Sequence, residues 1–254
     1  MRKKFQNITN KLPAIIAVLV LLLIWQICSF YELVPSFMLP APTKVVMAFV
    51  DDRALLWENS MITLKEAVIG LCAGISVGVL AAMLMDRFKL IRKAFYPIVV
   101  ITQTVPTVAI APLLVLWFGY EMTPKIILII LATFFPITVG VLDGFQSVDR
   151  DSVRLLKSMG ATKRQIFWHI KLPEAANPFF SGLRISVAYS IVAAVVSEWL
   201  GGFGGLGVYM TRVRKAYSFD KMFAVIFLIS AISLMLIWAT DKLQKIVMPY
   251  QYKK

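Results

Sequence analysis

Residues 149 to 173 read DRDSVRLLKSMGATKRQIFWHIKLP, and they lie between two apolar runs, 126 to 145 and 181 to 200. A helix rises about 1.5 Å per residue, so about 20 apolar residues cross a hydrocarbon layer of about 30 Å. Both flanking runs have that length, whereas the segment between them is too polar to span. Its pattern is nonetheless helical. Val153, Leu156 and Met159 recur at three-residue steps behind an acidic start at Asp149 and Asp151, which suits the positive end of a helix dipole. Gly160 can take the left-handed conformation that closes such a helix. Thr162 and Gln165 then have the spacing of a capping box, with Ile166, Phe167 and Ile170 as an apolar face until Pro173 ends the second helix. The spacing predicts a short amphipathic helix-turn-helix at the membrane surface, built to dock a partner protein. An ordinary surface loop or a DNA-binding hairpin would not explain two capped helices held so tightly between membrane spans.

Four further runs pass the same length test: 12 to 31, 67 to 85, 94 to 119 and 222 to 240. The fold class expected is therefore an all-α polytopic membrane protein with about six transmembrane helices, one transmembrane domain over residues 1 to 254. Composition agrees, since 59% of the 254 residues are hydrophobic and only 16% are charged, against about 25% in soluble domains. A net charge of +13 would suggest nucleic acid in a soluble protein, but here the basic residues fill gaps between apolar runs and set orientation; no nucleic-acid partner is expected. With the N-terminus inside, 18 Lys and Arg residues face the cytoplasm and 8 the opposite side, which predicts a multi-pass cell-membrane protein with both termini cytoplasmic. Cys28 and Cys72 each sit alone in an apolar run, so neither a disulfide framework nor a metal site is expected. Residues 1 to 4 and the run after them imitate a signal peptide, but 20 uncharged positions with no cleavage pattern read as a retained first helix.

Several spans carry more than an anchor needs. The third holds Pro97, Pro106 and Pro112 around Thr102, Gln103 and Thr104; each proline removes a donor and bends the helix, which membranes tolerate where neighbours or water satisfy the freed carbonyls. Gln103, Thr104 and Pro106 are thus candidates for a pore or gate, with a kink that only improves packing as the alternative. Gly70, Gly74, Gly78 and Ala82 recur every four residues and form a small-residue face for helix packing. Glu198 is an acid in a late span, where an ionised carboxylate costs about 2.5 to 3.5 kcal/mol at a helix centre; it needs a partner such as an exterior arginine, or it contacts solute. Gly202, Gly204 and Gly207 satisfy G-x-G-x-x-G, but they follow an apolar helical run instead of a strand, and Asp220 is too near for a ribose-binding acid. They read as a flexible outer turn, with Gly204 and Gly207 as gate candidates. His169, the single histidine, has no nucleophile or second ligand beside it, and catalysis there is not expected.

Gly160, nine residues, Ile170, one residue, then Leu172 and Pro173 match the tail of the coupling-loop motif of ABC importer permeases. The chain resembles in particular the permeases for nitrate, sulfonate, taurine and thiamine-precursor pyrimidine uptake. The likeness runs from Leu39-Pro40-Ala41-Pro42-Thr43-Lys44-Val45 to Gly204-Gly205-Leu206-Gly207, through Pro106 to Gly119, Phe134-Phe135-Pro136, Gly182-Leu183-Arg184 and Ser197-Glu198-Trp199-Leu200-Gly201. One position departs: Arg154-Leu155-Leu156 stands where the family motif opens with Glu-Ala-Ala, so the role of that acid does not carry over.

The resemblance implies a permease subunit, not itself an enzyme, that moves a small polar solute across the cell membrane. Its cytoplasmic hairpin would engage a separate ABC ATPase through Arg154, Leu156, Met159, Gly160, Ile166, Phe167, Ile170, Leu172 and Pro173. It further implies an extracytoplasmic substrate-binding protein and a second permease copy, with the lipid bilayer as surroundings. No cofactor is expected in this chain, ATP belonging to the partner: no Gly-x4-Gly-Lys-Ser/Thr phosphate loop occurs in it. The competing class, an ATP-independent channel or secondary carrier, needs charged pore rings or an intramembrane proton relay, and Glu198 alone does not supply one.

Overall fold

A computed structural model describes residues 12–31, 34–35 and 38–249, the side chains of residues 14 and 15 aside. The basic residues expected to mark the cytoplasmic side within 1–11 and 250–254 lie outside the described residues. Helices account for nearly all the rest, with no strand among the described residues: α1 (Leu12–Phe30), α2 (Pro42–Asp51), α3 (Arg53–Arg87), α4 (Lys89–Thr104), α5 (Thr107–Phe118), α6 (Met122–Gln146), α7 (Arg150–Ser158), α8 (Lys163–Ile166), α9 (Leu172–Leu200), α10 (Leu206–Lys215) and α11 (Phe219–Val247).

Each expected apolar run falls on helix, and three depart most from the expected bounds. Helix α3 has 35 residues where 67 to 85 was expected; its first turns hold Asn59, Thr63 and Glu66, polar residues that only tertiary partners make tolerable. The run 94 to 119 is two helices, α4 and α5, bent by 99°. Val105 and Pro106 are both extended there, because a proline ring disfavours helical geometry in the residue before it and offers no amide donor. Finally, Pro173 does not end the second hairpin helix. A π-helical turn, Phe167–Lys171, joins α8 to α9, and Pro173 follows directly after it, where the widened turn accommodates a residue without an amide donor. The fifth span therefore starts at Leu172 and is continuous with the hairpin.

Among the described residues four helical segments are long and apolar enough to cross a membrane (α3, α6, the continuous Lys163–Leu200, α11), and the bent pair, taken as one span, makes a fifth. Ahead of them α1 is apolar over its 19 residues.

Contacts gather the chain into two units, one reaching to Trp57 with Tyr209–Leu228, the other Glu58–Val208 with the chain from Ile229. In the first, Trp25 stacks on Phe227 at 5.9 Å and tilts against Phe223 at 5.7 Å, and Val45, Ala48 and Ala224 are buried together. Asp52, at the end of α2, accepts hydrogen bonds from Lys221 at 3.0 Å and from the Tyr209 hydroxyl. Burial pushes its carboxyl up, but those two hydrogen bonds and the lysine charge outweigh it and hold the group below the usual range.

In the second unit α6 and α9 form the centre. Close approach is possible because glycines face backbone: a Cβ on Gly140 would lie 2.6 Å from the Pro178 carbonyl oxygen, and one on Gly144 2.5 Å from Ala175 Cα. The Ser186 hydroxyl donates to the Thr133 carbonyl across this contact at 2.7 Å. Ile137, Leu142, Phe145, Phe180 and Val187 fill the core. The expected small face of α3 also packs on α6, where a Cβ on Gly70 would come within 2.5 Å of Ile129 and one on Gly78 within 2.9 Å of Ile137, with Gly74 against Thr133 between them.

Candidate functional site

The hairpin is shaped by local chemistry. Asp149 accepts from the amides of Asp151 and Ser152 at 3.2 and 2.9 Å and from the Ser152 hydroxyl at 2.8 Å, capping α7. The Ser152 hydroxyl, then the two amides, hold its carboxyl below the usual carboxylate range. Gly160 ends the helix at φ +84°, with the amide of Ala161 bonded to the Leu156 carbonyl and that of Gly160 to Lys157, a left-handed helix stop. The capping box then starts α8: the Gln165 amide donates to the Thr162 hydroxyl at 3.3 Å and the Thr162 amide to the Gln165 side chain at 2.8 Å.

The residues expected to couple to an ATPase divide between two faces. Ile166 is buried, Phe167 lies 5.4 Å from the Phe145 ring in the core, and Leu156 and Ile170 are half-buried. Arg154, Met159, Gly160, Leu172 and Pro173 are exposed, with Met159 at 73%. Leu155 and Trp168, which the helical period did not single out, join the exposed apolar set at 63% and 55%. The His169 Nδ1–H donates to the Gln165 carbonyl one turn earlier, at 2.9 Å. Lys171, in the π turn, pairs with Asp86 at the end of α3 at 2.7 Å, so the base of the hairpin is tied to two spans.

The break between α4 and α5 opens onto two adjoining cavities that share Gln103 and Tyr189. One, of about 270 Å³, is lined among others by Thr102, Pro106, Thr107 and Val192; the second, of about 660 Å³, by Pro136, Asp143, Asn177 and Ser181. Gln103, Thr104 and Pro106 are exposed at this break. The carbonyls at the end of α4 are covered by local hydroxyls, Thr102 on Val99 at 2.7 Å and Thr104 on Ile101 at 2.8 Å. Irregular backbone of this kind is tolerated at membrane depth where it lines a cavity.

Glu198 lies elsewhere. It is 2% exposed and accepts from the Thr63 hydroxyl at 2.7 Å and from the Gly207 amide at 2.6 Å; these bonds, not an exterior arginine, are its partners. The Gly205 amide donates to Asn59 and the Leu206 amide to the Thr63 hydroxyl, at 2.8 and 2.9 Å. Beside them Lys125 and Glu66, both buried, form an ion pair at 2.5 Å. The glycine turn is thus held by side chains from α3 and α9, and the backbone takes the positive φ of +114° at Gly205, where a Cβ would collide with the Glu198 carboxylate. Gly204 and Gly207 belong to this tethered turn.

Long apolar helices, one of them broken around a polar cleft, with a capped hairpin continuous with a span, are the architecture of an α-helical polytopic membrane protein. Residues 74–249 match the family described as binding-protein-dependent transport system inner membrane component, and the chain belongs to it. It is 38% identical to the formylaminopyrimidine transport permease protein of Halalkalibacterium halodurans over 93% of this chain and 94% of that one. It is 30% identical to the taurine transport system permease protein of Escherichia coli K12 over 91% and 86%. Among solved structures it is similar to an amino acid ABC transporter with histidines, at a TM-score of 0.63 and 18% identity, covering 80% of this chain and 97% of that one; at that identity the likeness speaks for the fold. The protein is a multi-pass permease subunit of an ABC importer, not an enzyme, and works with ATPase and binding-protein partners.

Sequence reasoning missed Asn59, Thr63, Glu66, Lys125 and Tyr189. Lys125 was counted as an external charge, although it is buried. The signal for the first three was present: positions 59, 63 and 66 share one helical face, placed ahead of the apolar run where it looked like loop.

Proposed function

We propose that two copies of this chain enclose a pathway for a small polar solute of the kind its relatives carry, with both termini in the cytoplasm and residues 149–173 seated on the ATPase. The observation that carries the reading is the continuity of the hairpin with a span. From Lys163 to Leu200 the helix runs without a stop, so a push on Trp168 is transmitted along α9 to Tyr189 in the cleft and to Glu198 at the tethered glycine turn, and one on Leu155 or Met159 reaches the same helix through the Gly160 turn. Those exposed apolar side chains, with Arg154 exposed on the same hairpin, offer the contact a groove on a partner would cover. The cleft at the α4–α5 break, with Gln103, Thr104 and Pro106, is the pathway, and the turn holding Gly204 and Gly207 is its outer gate.

The test is site-directed cross-linking in the assembled transporter, with Cys28 and Cys72 replaced by serine. A cysteine at Met159 should cross-link to the ATPase, with a yield that changes when nucleotide closes the ATPase pair. No cross-link from the hairpin, together with uptake that persists without ATP, would overturn the reading.

A further inference from the structure

We infer that the pocket at the start of α4 binds the phosphate of an anionic phospholipid, with Lys89, Arg92 and Lys93 as its ligands, in the leaflet on the ATPase side. Only the choice of leaflet rests on the orientation proposed above. The pocket, of about 390 Å³, is lined by Lys89, Arg92, Lys93, Tyr96 and Pro97. The first four stand at positions i, i+3, i+4 and i+7 of one helix, so they share a face. The ion pair of Lys171 with Asp86, just ahead of α4 in the chain, sets this face at the level of the hairpin base. Gln103, in the cleft, lies about 15 Å further along the helix from Lys93, so the pocket is separate from the cleft.

Cations gathered in this way call for an anion. Like charges three or four residues apart on a helix repel, and all three stand near the positive end of the helix dipole. Phe88, the residue ahead of α4, brings no side-chain acceptor to the free amides there. No carboxylate of this chain compensates: among the described residues Lys89 and Lys93 have no ion-pair partner, Arg92 bonds the neutral Gln146 at 2.6 Å, and Asp86 is taken by Lys171. Membrane orientation asks for cations on one side, but not for their grouping around one cavity. A phosphate fits them, because its oxygens accept charge-assisted hydrogen bonds from both lysines and from the guanidinium donors that Gln146 leaves unused. The surface beside the pocket makes that phosphate a lipid's. Leu90, Ile98 and Ile101 form a neighbouring stripe of α4 and are exposed; an acyl chain joined to the phosphate covers this stripe, whereas a free ion leaves it bare. A basic pocket against an apolar helix face at the membrane boundary is the setting in which anionic headgroups are held.

Native mass spectrometry of the permease–ATPase complex in detergent, titrated with phosphatidylglycerol or phosphatidylcholine of the same chains, reads the preference with every subunit in place. Phosphatidylglycerol should bind about tenfold more tightly. Lys89→Gln and Lys93→Gln should each reduce that preference several-fold, and the double variant should bring the two lipids within about twofold of each other. Arg87→Gln removes a neighbouring cation that lies over the Phe88 ring and outside the pocket, and it should leave the preference unchanged. Equal binding of the two lipids by the unaltered complex, the result if a second copy or the ATPase covers the pocket, overturns the inference. So does an equal loss in Arg87→Gln, which would mean diffuse attraction to the surface. Displacement of the lipid by millimolar inorganic phosphate would assign the pocket to a soluble anion and overturn it too. The leaflet has its own readout: Lys93→Cys in a background without Cys28 and Cys72 should react with a membrane-impermeant maleimide in inverted vesicles and not in intact cells. Reaction in intact cells overturns the orientation and the leaflet, while the lipid preference measured in detergent stands or falls by itself.

Discussion

At Gly160 a single residue decides whether the hairpin can turn. Its φ of +84° is open to glycine and costs other L-residues about 1 to 2 kcal/mol, and a Cβ there would meet nothing within 4 Å. The penalty for substitution is therefore backbone strain without a clash, which makes side-chain identity informative. Gly160→Val should weaken association with the ATPase about tenfold, while Gly160→Asn, which tolerates the left-handed region, should keep most of it; pull-down titration against the ATPase measures both. Equal loss in both variants would mean that the position is read by contact and not by conformation. This glycine was legible in the sequence because its neighbours on both sides were helix signals. Glu198 was legible only as an anomaly, since its partners Thr63 and Gly207 come from 135 residues upstream and 9 residues downstream.

At the scale of an element, α7 depends on its first turn. The Ser152 hydroxyl and the amides of Ser152 and Asp151 keep the Asp149 carboxyl below its ordinary value of 3.8. A folded-state value lowered in this way contributes stability that is present above pH 3.8 and disappears as pH falls through the depressed value. Amide exchange at residues 151 to 153, corrected for intrinsic rates, should hence be constant above pH 3.8 and rise below it, and Asp149→Ala should show the fast rate at every pH. The caps of α7 and α8 follow from spacings of three residues, which sequence displays directly. The α8–α9 junction does not: Pro173 reads as a stop, and only the π turn before it, with the Leu172 amide on the Phe167 carbonyl, lets the chain continue as one lever.

For the molecule as a membrane protein, the buried pair of Lys125 and Glu66 is the most exacting contact, because removing one partner strands a charge away from water. Lys125→Met should destabilise the second unit by about 3 to 5 kcal/mol, whereas Lys125→Met with Glu66→Met should recover most of that loss. Thermal unfolding in detergent compares the three proteins. A double variant no more stable than the single one would show that the Glu66 carboxylate is required for another contact. The same logic applies to the packing of α3 on α6: Gly70→Leu, whose Cβ would sit 2.5 Å from Ile129, should lower the unfolding temperature without altering ATPase docking, since Gly70 is remote in sequence and structure from the hairpin.

The sequence by itself determined the membrane class, the apolar runs, the small face of Gly70, Gly74 and Gly78, and the capped hairpin between two spans. Each of these rests on hydropathy or on spacings of three and four residues, and both are local quantities. Only the tertiary structure decided that Glu66, Lys125 and Glu198 meet around the glycine turn, that Ile166 and Phe167 face the core while Leu155 and Trp168 face outward, and that Gln103 and Tyr189 share one cleft. Those pairings join residues far apart in the chain, and which polar groups share a low-dielectric site depends on how the helices pack and on no feature of any one helix.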